Sequence, residues 1–357
     1  MKHESPINKL PVRLLRHDTA HQGVARSSGR QTGPQCVVHG SRSMIRHPMF
    51  SLLALIPVCV LALAGVNRFA PSFAFRLMVK IGRYAAGLRE RRIEVHGQSV
   101  PYLVGGRGAP LLLVHGFTAS KETFSDISRF LTPHFRVYAL DLPGFGDATR
   151  AQDADYSMEA QVEHVHAFIQ SLGLGKVHAG GNSMGGGIVA LLAGTYPQDV
   201  ASVWLIDAAA TQEAAQSAMV LDFVATGEFP LLNKRPEDYA DRWQYVFGKP
   251  RFIPYAYNRT MGVMQAGDYA LHKKILSVIQ SSRPIEQRYA DLQVPALIVT
   301  GAEDRIVPPN SVYTLARVFP NSRIKVMPGL GHIPMVEAPG RTAGDYLEFR
   351  QGLGDAK

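Results

Sequence analysis

Residues 176–197 constrain the fold of this chain more than any other stretch. A short β-compatible run occupies residues 176–181, and an apolar segment with helical spacing runs over residues 184–193 before Pro197 ends it. Between them the chain reads Gly-Asn-Ser-Met-Gly, a G-x-S-x-G pattern centred on Ser183. Across a strand-to-helix turn this pattern indicates a nucleophile elbow, in which a strained turn exposes the serine hydroxyl at the carboxyl end of a sheet.

Two glycines flank the serine at equal distances. We expect Gly181 and Gly185 to be required because a Cβ atom at either position would collide with the neighbouring strand and helix. The helix that follows the turn also places partial positive charge at its first residues. The turn therefore suits a serine whose reaction develops a negative charge on an oxygen atom.

Short apolar runs alternate with helical patterns over most of the remaining chain. The runs occupy residues 111–114, 135–140, 202–206, 296–300 and 323–326, and a predicted hairpin of residues 93–95 and 100–104 precedes them. This alternation predicts an α/β fold with a mostly parallel central sheet flanked by helices.

Residues 208–290 interrupt the alternation. They carry many aromatic and methionine residues at helical spacing and show no strand pattern. We predict that they form a helical cap, inserted after the sixth core strand of a core made of residues 92–207 and 291–357. The aromatic side chains suit either the cap's own core or the wall of a substrate pocket.

A serine hydroxyl is a weak nucleophile at neutral pH, so it needs a base and a group that orients the base. His332 follows the last predicted strand, and Asp304 follows the strand before it. The chain order Ser183, Asp304, His332 is the order nucleophile, acid, histidine of one known class of serine triads. Asp207 also ends a predicted strand and stays an alternative for the acid.

The oxyanion of a tetrahedral intermediate needs two backbone N–H donors. Met184, directly after the serine, and Phe117, just past a His-Gly pair, are the predicted donors. His115 of that pair is expected to shape the loop, with proton transfer as an open alternative. Asp141 is expected to cap the turn that it begins.

The sequence contains no signature of a cofactor or metal site. Cys36 and Cys59 both precede the predicted globular part, so no disulfide framework, zinc cluster or catalytic thiol is expected there. His164 and His166 lie two apart on a predicted helix and do not face the same way. Because phosphate-loop, zinc-protease and dinucleotide motifs are also missing, we predict that the protein uses no cofactor and no metal.

The formal charge of +9 is concentrated near the N-terminus. Residues 1–48 hold eight Lys and Arg against two acidic residues, and residues 67–91 carry a second basic group. Residues 49–66 between them are apolar and uncharged. This pattern predicts a basic disordered tail, a hydrophobic segment and a basic amphipathic linker helix, with a membrane rather than nucleic acid as the partner.

We therefore expect a protein held at a membrane by residues 49–66 as an uncleaved anchor, with no prediction of the side that the catalytic domain faces. The competing interpretation is a secretory signal, with export after cleavage near Ala64.

Five motifs together resemble the α/β-hydrolase superfamily. They are His115-Gly116-Phe117, the turn of residues 141–146, the elbow of residues 181–186, the loop of residues 301–308 and Gly331-His332. The resemblance covers about residues 92–350. With its apolar N-terminal segment and helical cap, the chain is similar to membrane-anchored monoacylglycerol lipases and related bacterial lipases. The resemblance implies a serine hydrolase that cleaves carboxylic esters through an acyl-enzyme intermediate.

Two other functions stay open. The Asn-Ser-Met-Gly-Gly run also occurs in meta-cleavage-product hydrolases, which cut carbon–carbon bonds, but those carry a more glycine-rich segment where this chain has residues 117–120. A non-catalytic hydrolase-like binding module would often have lost one triad residue, and none is missing here. We expect lipid-derived esters as substrates, such as monoacylglycerols or other monoesters of medium chain length.

Overall fold

The computed structural model describes residues 48–353, with side chains from residue 59 onward. The tail predicted over residues 1–48 lies outside this range except for its last residue. The chain divides into two compact units, residues 1–52 and residues 53–357. The architecture that follows is that of the second unit.

One sheet of eight strands forms the centre of the molecule. The strands are β1 Leu88–Val95, β2 Gln98–Gly106, β3 Pro110–Val114, β4 Arg136–Leu140, β5 Val177–Asn182, β6 Val200–Ile206, β7 Ala296–Gly301 and β8 Ser322–Met327. Their order in the sheet is β1-β2-β4-β3-β5-β6-β7-β8. The pairs β1–β2 and β2–β4 are antiparallel, and all other neighbours are parallel. The predicted α/β fold with a mostly parallel sheet is confirmed.

The helices of the described residues lie on both faces of this sheet, in the cap and ahead of the first strand. They are α1 Pro48–Phe69, α2 Pro71–Ala85, α3 Ser125–Leu131, α4 Met158–Ser171, α5 Met184–Thr195, α6 Gln212–Ala215, α7 Ala218–Thr226, α8 Trp243–Val246, α9 Tyr255–Gly267, α10 Tyr269–Gln280, α11 Ser311–Val318, α12 Pro334–Glu337 and α13 Pro339–Gly352. Helices α4, α5 and α11 share one apolar cluster with the sheet, and α3 and α13 share another.

The central strands are buried on both faces, as their continuous apolar runs predict. In β3, Leu112 and Val114 pack into the cluster of α4 and α5, whereas Leu111 and Leu113 pack into the cluster of α3 and α13. All four residues are fully buried. Successive side chains of a strand point to opposite faces, so one apolar run fills two layers of core.

The edge strand β1 begins earlier than expected. Its first residues, from Leu88 to Arg91, fall in the stretch predicted as a linker helix, and they pair with residues 102–105 of β2. Only Leu88 and Val95 of this strand are buried. An edge strand can keep charged side chains in solvent, which is why its charge pattern did not indicate a strand.

Helices α6 to α10 all lie between β6 and β7. The helical character predicted for residues 208–290 and their insertion after the sixth strand are thus confirmed. Met219, Phe223, Phe229 and Leu231 form an apolar cluster that belongs mainly to this insertion. The insertion is also tied to the core, because the backbone N–H of His332 donates a 2.8 Å hydrogen bond to the carbonyl of Val246.

The prediction of a membrane-anchored protein is wrong. Among the helices of residues 48–353, none combines the length and the apolar character that crossing a membrane requires. The carboxyl end of α1 is polar and contacts the cap instead: Asn67 Oδ1 accepts a 2.9 Å hydrogen bond from the backbone N–H of Ala256. The guanidinium of Arg68 lies 4.7 Å from the centre of the Tyr255 ring.

Candidate active site

Ser183 lies in a strained turn between β5 and α5. Its backbone has φ +56° and ψ −122°, a left-handed conformation that residues other than glycine rarely adopt. A Cβ atom on Gly181 would lie 2.2 Å from the carbonyl oxygen of Gly185, and one on Gly185 would lie 2.1 Å from that of Val114. Both flanking glycines are therefore required by contact with backbone, as expected.

His332 and Asp304 form a hydrogen-bonded pair. His332 Nδ1 donates a 2.8 Å bond to Asp304 Oδ2, and Asp304 Oδ1 accepts from the backbone N–H groups of Ile306 at 2.8 Å and Val307 at 3.1 Å. With Nδ1 protonated, the Nε2 lone pair of His332 is free to accept a proton. Ser183 lines the same cavity as His332. No hydrogen bond joins their side chains within the described residues, and such bonds commonly tighten only when substrate binds.

Asp207, the alternative acid, lies behind this pair and makes no bond to the histidine. Its Oδ1 accepts from Thr300 Oγ1 at 3.0 Å and from the Gly301 N–H at 2.9 Å. Single oxygens of Asp207 and Asp304 and a ring nitrogen of His332 lie within 4.8 Å of one another. Burial, followed by the nearby charge of Asp304, raises the pKa of Asp207 well above its ordinary value. The geometry therefore favours Asp304, the carboxyl group bonded to His332, over Asp207 as the acid.

The two predicted oxyanion donors lie on either side of Ser183. Met184 is the first residue of α5, where a helix leaves its N–H groups without intrahelical partners. The loop that carries Phe117 touches the serine, because a Cβ atom on Gly116 would lie 3.1 Å from the Cβ of Ser183. Within the described chain, the N–H of Phe117 donates to no other protein group.

His115 stabilises the loop that carries Phe117, and backbone groups fix the orientation of its ring. It is fully buried, its Nδ1 donates to the carbonyl of Gly116 at 2.8 Å, and its Nε2 accepts from the N–H of Leu142 at 3.1 Å. Burial lowers the pKa of His115. With both ring nitrogens engaged by backbone, the geometry favours the loop-shaping role over proton transfer.

Asp141 caps its turn by accepting a 2.8 Å hydrogen bond from the N–H of Asp147. Asp141 has a second partner, Lys121, that was not predicted from the sequence. Lys121 is 1% exposed, and its Nζ lies 2.7 Å from Asp141 Oδ2. This buried ion pair joins the loop after β3 to the turn after β4. Nothing in the sequence around Lys121 indicated that its side chain would be buried.

Two further residues position the histidine loop and were also missed. The side-chain amide of Asn182 donates to the carbonyl of His332 at 3.0 Å. The carboxylate of Glu337 accepts from the N–H groups of Gly331 at 2.7 Å and Gly248 at 3.0 Å. Only the position of Asn182 could have indicated this role from the sequence. It is a polar residue at the end of a buried strand, directly before the serine, and a buried polar side chain needs a hydrogen-bond partner.

Two cavities meet at the serine. The larger cavity, of about 390 Å³, lies between α2, the loop after β3 and the cap. Its wall includes Phe75, Met78, Tyr239, Arg242, Trp243 and His332. Helix α2 therefore forms part of a pocket, which its basic, amphipathic sequence did not predict.

The smaller cavity, of about 120 Å³, lies on the other side of the serine. Its wall is mostly apolar and includes Met158, Leu191, Val220, Leu276, Ile306 and Val307. Phe117, Ser183 and Leu231 line both cavities. A ligand centred on the serine therefore has separate space for two substituents.

Known proteins share this sequence and fold. The family profile described as the alpha/beta hydrolase fold matches residues 109–339. Lipase 1 of Psychrobacter immobilis is 33% identical over 82% of this chain and 95% of its own length. Monoacylglycerol lipase ABHD6 of Rattus norvegicus is 26% identical over 82% of this chain and 91% of its own length. A membrane phospholipase A, described as a bacterial virulence factor, has a crystal structure with a TM-score of 0.77, at 34% identity and covering 86% of this chain and 100% of that one. The chain therefore belongs to the α/β-hydrolase family and is an ester hydrolase.

Proposed function

We propose that this ester hydrolase acts through Ser183 as nucleophile, His332 as general base and acid, and Asp304 as the group that orients His332. The observation that carries the proposal is the strained turn at Ser183, which lines a cavity together with a histidine whose Nδ1 is bonded to Asp304 at 2.8 Å. In a neutral imidazole that bond selects the tautomer with the proton on Nδ1, so Nε2 carries the lone pair that accepts the serine proton.

The chemistry then follows in two halves. Ser183 Oγ bonds to the ester carbonyl carbon while its proton passes to His332 Nε2. The backbone N–H groups of Phe117 and Met184 stabilise the resulting oxyanion. Collapse breaks the bond to the alcohol oxygen, which leaves with the proton from His332. Water, deprotonated by His332, then attacks the acyl-enzyme and releases the carboxylic acid and the free serine.

We propose a lipid-derived monoester as the substrate, such as a monoacylglycerol of medium chain length. The smaller cavity, with Met158, Leu276 and Val307 in its wall, suits the acyl chain because burial of methylene groups is favourable there. The larger cavity then holds the alcohol part. The names of the related proteins, two lipases and a phospholipase, support this substrate class.

We also propose that the enzyme meets such substrates at a lipid surface, through α2. Phe73, Leu77 and Ile81 lie one turn apart on this helix and are 56%, 42% and 59% exposed. Exposed Arg76 and Lys80 lie beside them, a pattern that suits an anionic lipid surface. Leu77→Asp should weaken binding to anionic vesicles, whereas Tyr313→Asp, at an exposed site on α11, should not. Equal binding by the two variants would remove this part of the proposal.

The test of the reaction uses a fluorophosphonate probe and a substrate panel. Wild-type protein should label, and Ser183→Ala should neither label nor hydrolyse monodecanoylglycerol. Wild-type protein that never labels would refute the serine mechanism. A panel with p-nitrophenyl esters and a carbon–carbon ring-fission product distinguishes the alternatives, because preference for the last compound would assign the protein to carbon–carbon bond hydrolysis.

A further inference from the structure

A buried arginine of the cap lies in the wall of the larger cavity, and no acid of residues 48–353 pairs with it. Arg242 is 5% exposed. Its guanidinium donates to Thr118 Oγ1 at 3.3 Å, to the Leu231 carbonyl at 2.9 Å and to Asn233 Oδ1 at 2.5 Å. All three acceptors are neutral, and Nε has no partner in the part of the chain that the structure describes.

The aromatic neighbours of Arg242 do not neutralise it. Its guanidinium carbon lies 4.1 Å from the centre of the Tyr239 ring, a contact that compensates a cation only partly. Burial raises the pKa of Tyr239, and the adjacent Tyr239 together with burial raises that of Tyr257 well above its ordinary value. Both phenols therefore stay neutral. Burial lowers the pKa of Arg242, as expected of a cation whose lost hydration has not been replaced by an anion.

Two other cations near the site, the buried Lys121 and the partly buried Arg83, are paired with acids. Lys121 Nζ lies 2.7 Å from Asp141 Oδ2, and Arg83 is bonded to Glu122. The pKa of Lys121 is raised by its acidic partners against the effect of burial. Because an unpaired buried charge is strongly unfavourable, the isolated position of Arg242 indicates a site that a ligand completes.

The position of Arg242 suits a part of the substrate. It lines the same cavity as Ser183 and His332, and its partner Thr118 directly follows Phe117. A molecule whose ester carbon lies at Ser183 can extend another group towards Arg242. We propose that Arg242 binds an anionic group on the alcohol part of the ester substrate. This inference rests on the proposed serine-esterase function and adds a preference, among its lipid-derived monoesters, for those whose alcohol part carries a negative charge.

Two sources supply such a group: a phosphodiester, as in a lysophospholipid, and the carboxylate of a hydroxy acid. The guanidinium can interact with either through its charge and through the N–H groups that the three hydrogen bonds above do not use. Two acids also line the cavity, but Glu122 is neutralised by Arg83, and Asp126 is exposed to solvent. Neither acid pairs with Arg242 among the described residues.

The experiment compares three esters with the same decanoyl chain on the full-length protein. The alcohol parts are glycerol, which is neutral, glyceric acid, which is a carboxylate, and glycerophosphoglycerol, which is a phosphodiester. Arg242→Gln removes the charge, and Arg242→Lys keeps a charge but not the planar fork. Arg259→Gln is the matched control, because this cap arginine pairs with Glu237 at the surface and is 41% exposed.

We expect Arg242→Gln to lower kcat/KM on at least one anionic ester by roughly tenfold more than on the neutral ester, mainly through KM. The ratio of kcat/KM on the anionic ester to kcat/KM on the neutral ester should be intermediate in Arg242→Lys, between Arg242→Gln and the wild-type protein. Arg259→Gln should leave this ratio unchanged. The anionic ester whose ratio falls most in Arg242→Gln shows whether Arg242 binds a phosphodiester or a carboxylate. An equal loss on all three esters, or no turnover of either anionic ester by wild-type protein that cleaves the neutral one, would overturn the proposal. Absence of all hydrolysis and labelling would instead refute the esterase function itself.

Discussion

The side chain of Asn182 donates a 3.0 Å hydrogen bond to the backbone carbonyl of His332, a residue 150 positions later in the chain. The same amide group donates to the carbonyl of Ile206 at 3.2 Å. One side chain thus joins the end of the serine strand, the end of β6 and the histidine loop. Asn182 is 3% exposed, so water cannot easily replace these bonds.

Asn182→Ala should lower kcat on a neutral ester by roughly tenfold or more, because the buried carbonyl of His332 loses its side-chain donor. The carbonyl of Ile206 keeps the N–H of Ser183 as a donor. KM should change less, since the cavities are not altered. Asn321→Ala is the control, because Asn321 also donates to a backbone carbonyl, that of Gln293, but at the surface. Steady-state kinetics and thermal melting of both variants check this. Unchanged kcat in Asn182→Ala would show that the bond does not position the histidine.

Asp304→Asn should lower kcat by roughly three to four orders of magnitude. The amide oxygen would take the position that accepts from the N–H groups of Ile306 and Val307, so the amide NH2 would face His332 Nδ1 and select the wrong tautomer. Asp207→Asn should cost less than about tenfold, since an amide oxygen can still accept from Thr300 Oγ1 and the N–H of Gly301. Pre-steady-state and steady-state assays of the two variants measure the difference. A large loss confined to Asp207→Asn would identify that residue as the acid.

Leu276→Trp should shorten the preferred acyl chain by filling the smaller cavity. Each methylene group excluded from an apolar pocket costs about 0.8 kcal/mol, so kcat/KM should fall steeply for decanoyl esters and little for butanoyl esters. Met261→Trp places the same side chain in the larger cavity and serves as the control. If both variants lose the same activity on every chain length, the acyl chain does not occupy the smaller cavity.

Lys121→Met should destabilise the fold by about 3 kcal/mol, because it leaves the fully buried Asp141 without its cation. Lys234→Met is the matched control. Lys234 pairs with Glu228 at 2.6 Å but is 52% exposed, and exposed ion pairs contribute less than about 1 kcal/mol. Denaturant unfolding of both variants provides the comparison. Similar losses in the two variants would contradict the role assigned to the buried pair.

His272→Gln should make the protein less sensitive to acid. His272 packs against Phe145 and bonds to the Gly144 carbonyl, and burial lowers its pKa to about 4 from 6.5. Between these values the unfolded chain binds a proton that the folded protein does not, so stability falls as the pH falls. The loss attributable to His272 reaches at most about 3 kcal/mol at pH 4. Measuring the unfolding free energy at pH 7 and pH 4.5 checks this, with His134→Gln at the surface as the control. If His272→Gln loses as much unfolding free energy between the two pH values as the wild-type protein does, the prediction is wrong.

Local chemistry explains what could be predicted without a structure. The elbow at Ser183, the apolar run of β3 and the helical insertion after β6 each depend on residues close together in the chain. The glycines around a tight turn indicate the turn, and the spacing of apolar residues indicates whether a segment is a strand or a helix. Asp304 and His332 were predicted for the same reason, since each follows a strand and strand ends of a parallel sheet converge at one edge.

The sequence by itself determined the α/β architecture, the cap and the candidate triad, because these follow from local periodicity, turn chemistry and chain order. Tertiary structure alone decided that α1 ends against the cap, that α2 forms a wall of the pocket and that β1 extends into the basic stretch. It also decided that Lys121 pairs with an acid, whereas Arg242 has only neutral hydrogen-bond acceptors among the described residues. These features depend on contacts between residues far apart in the chain, and the burial of a charge is set by the groups that surround it rather than by its neighbours in sequence.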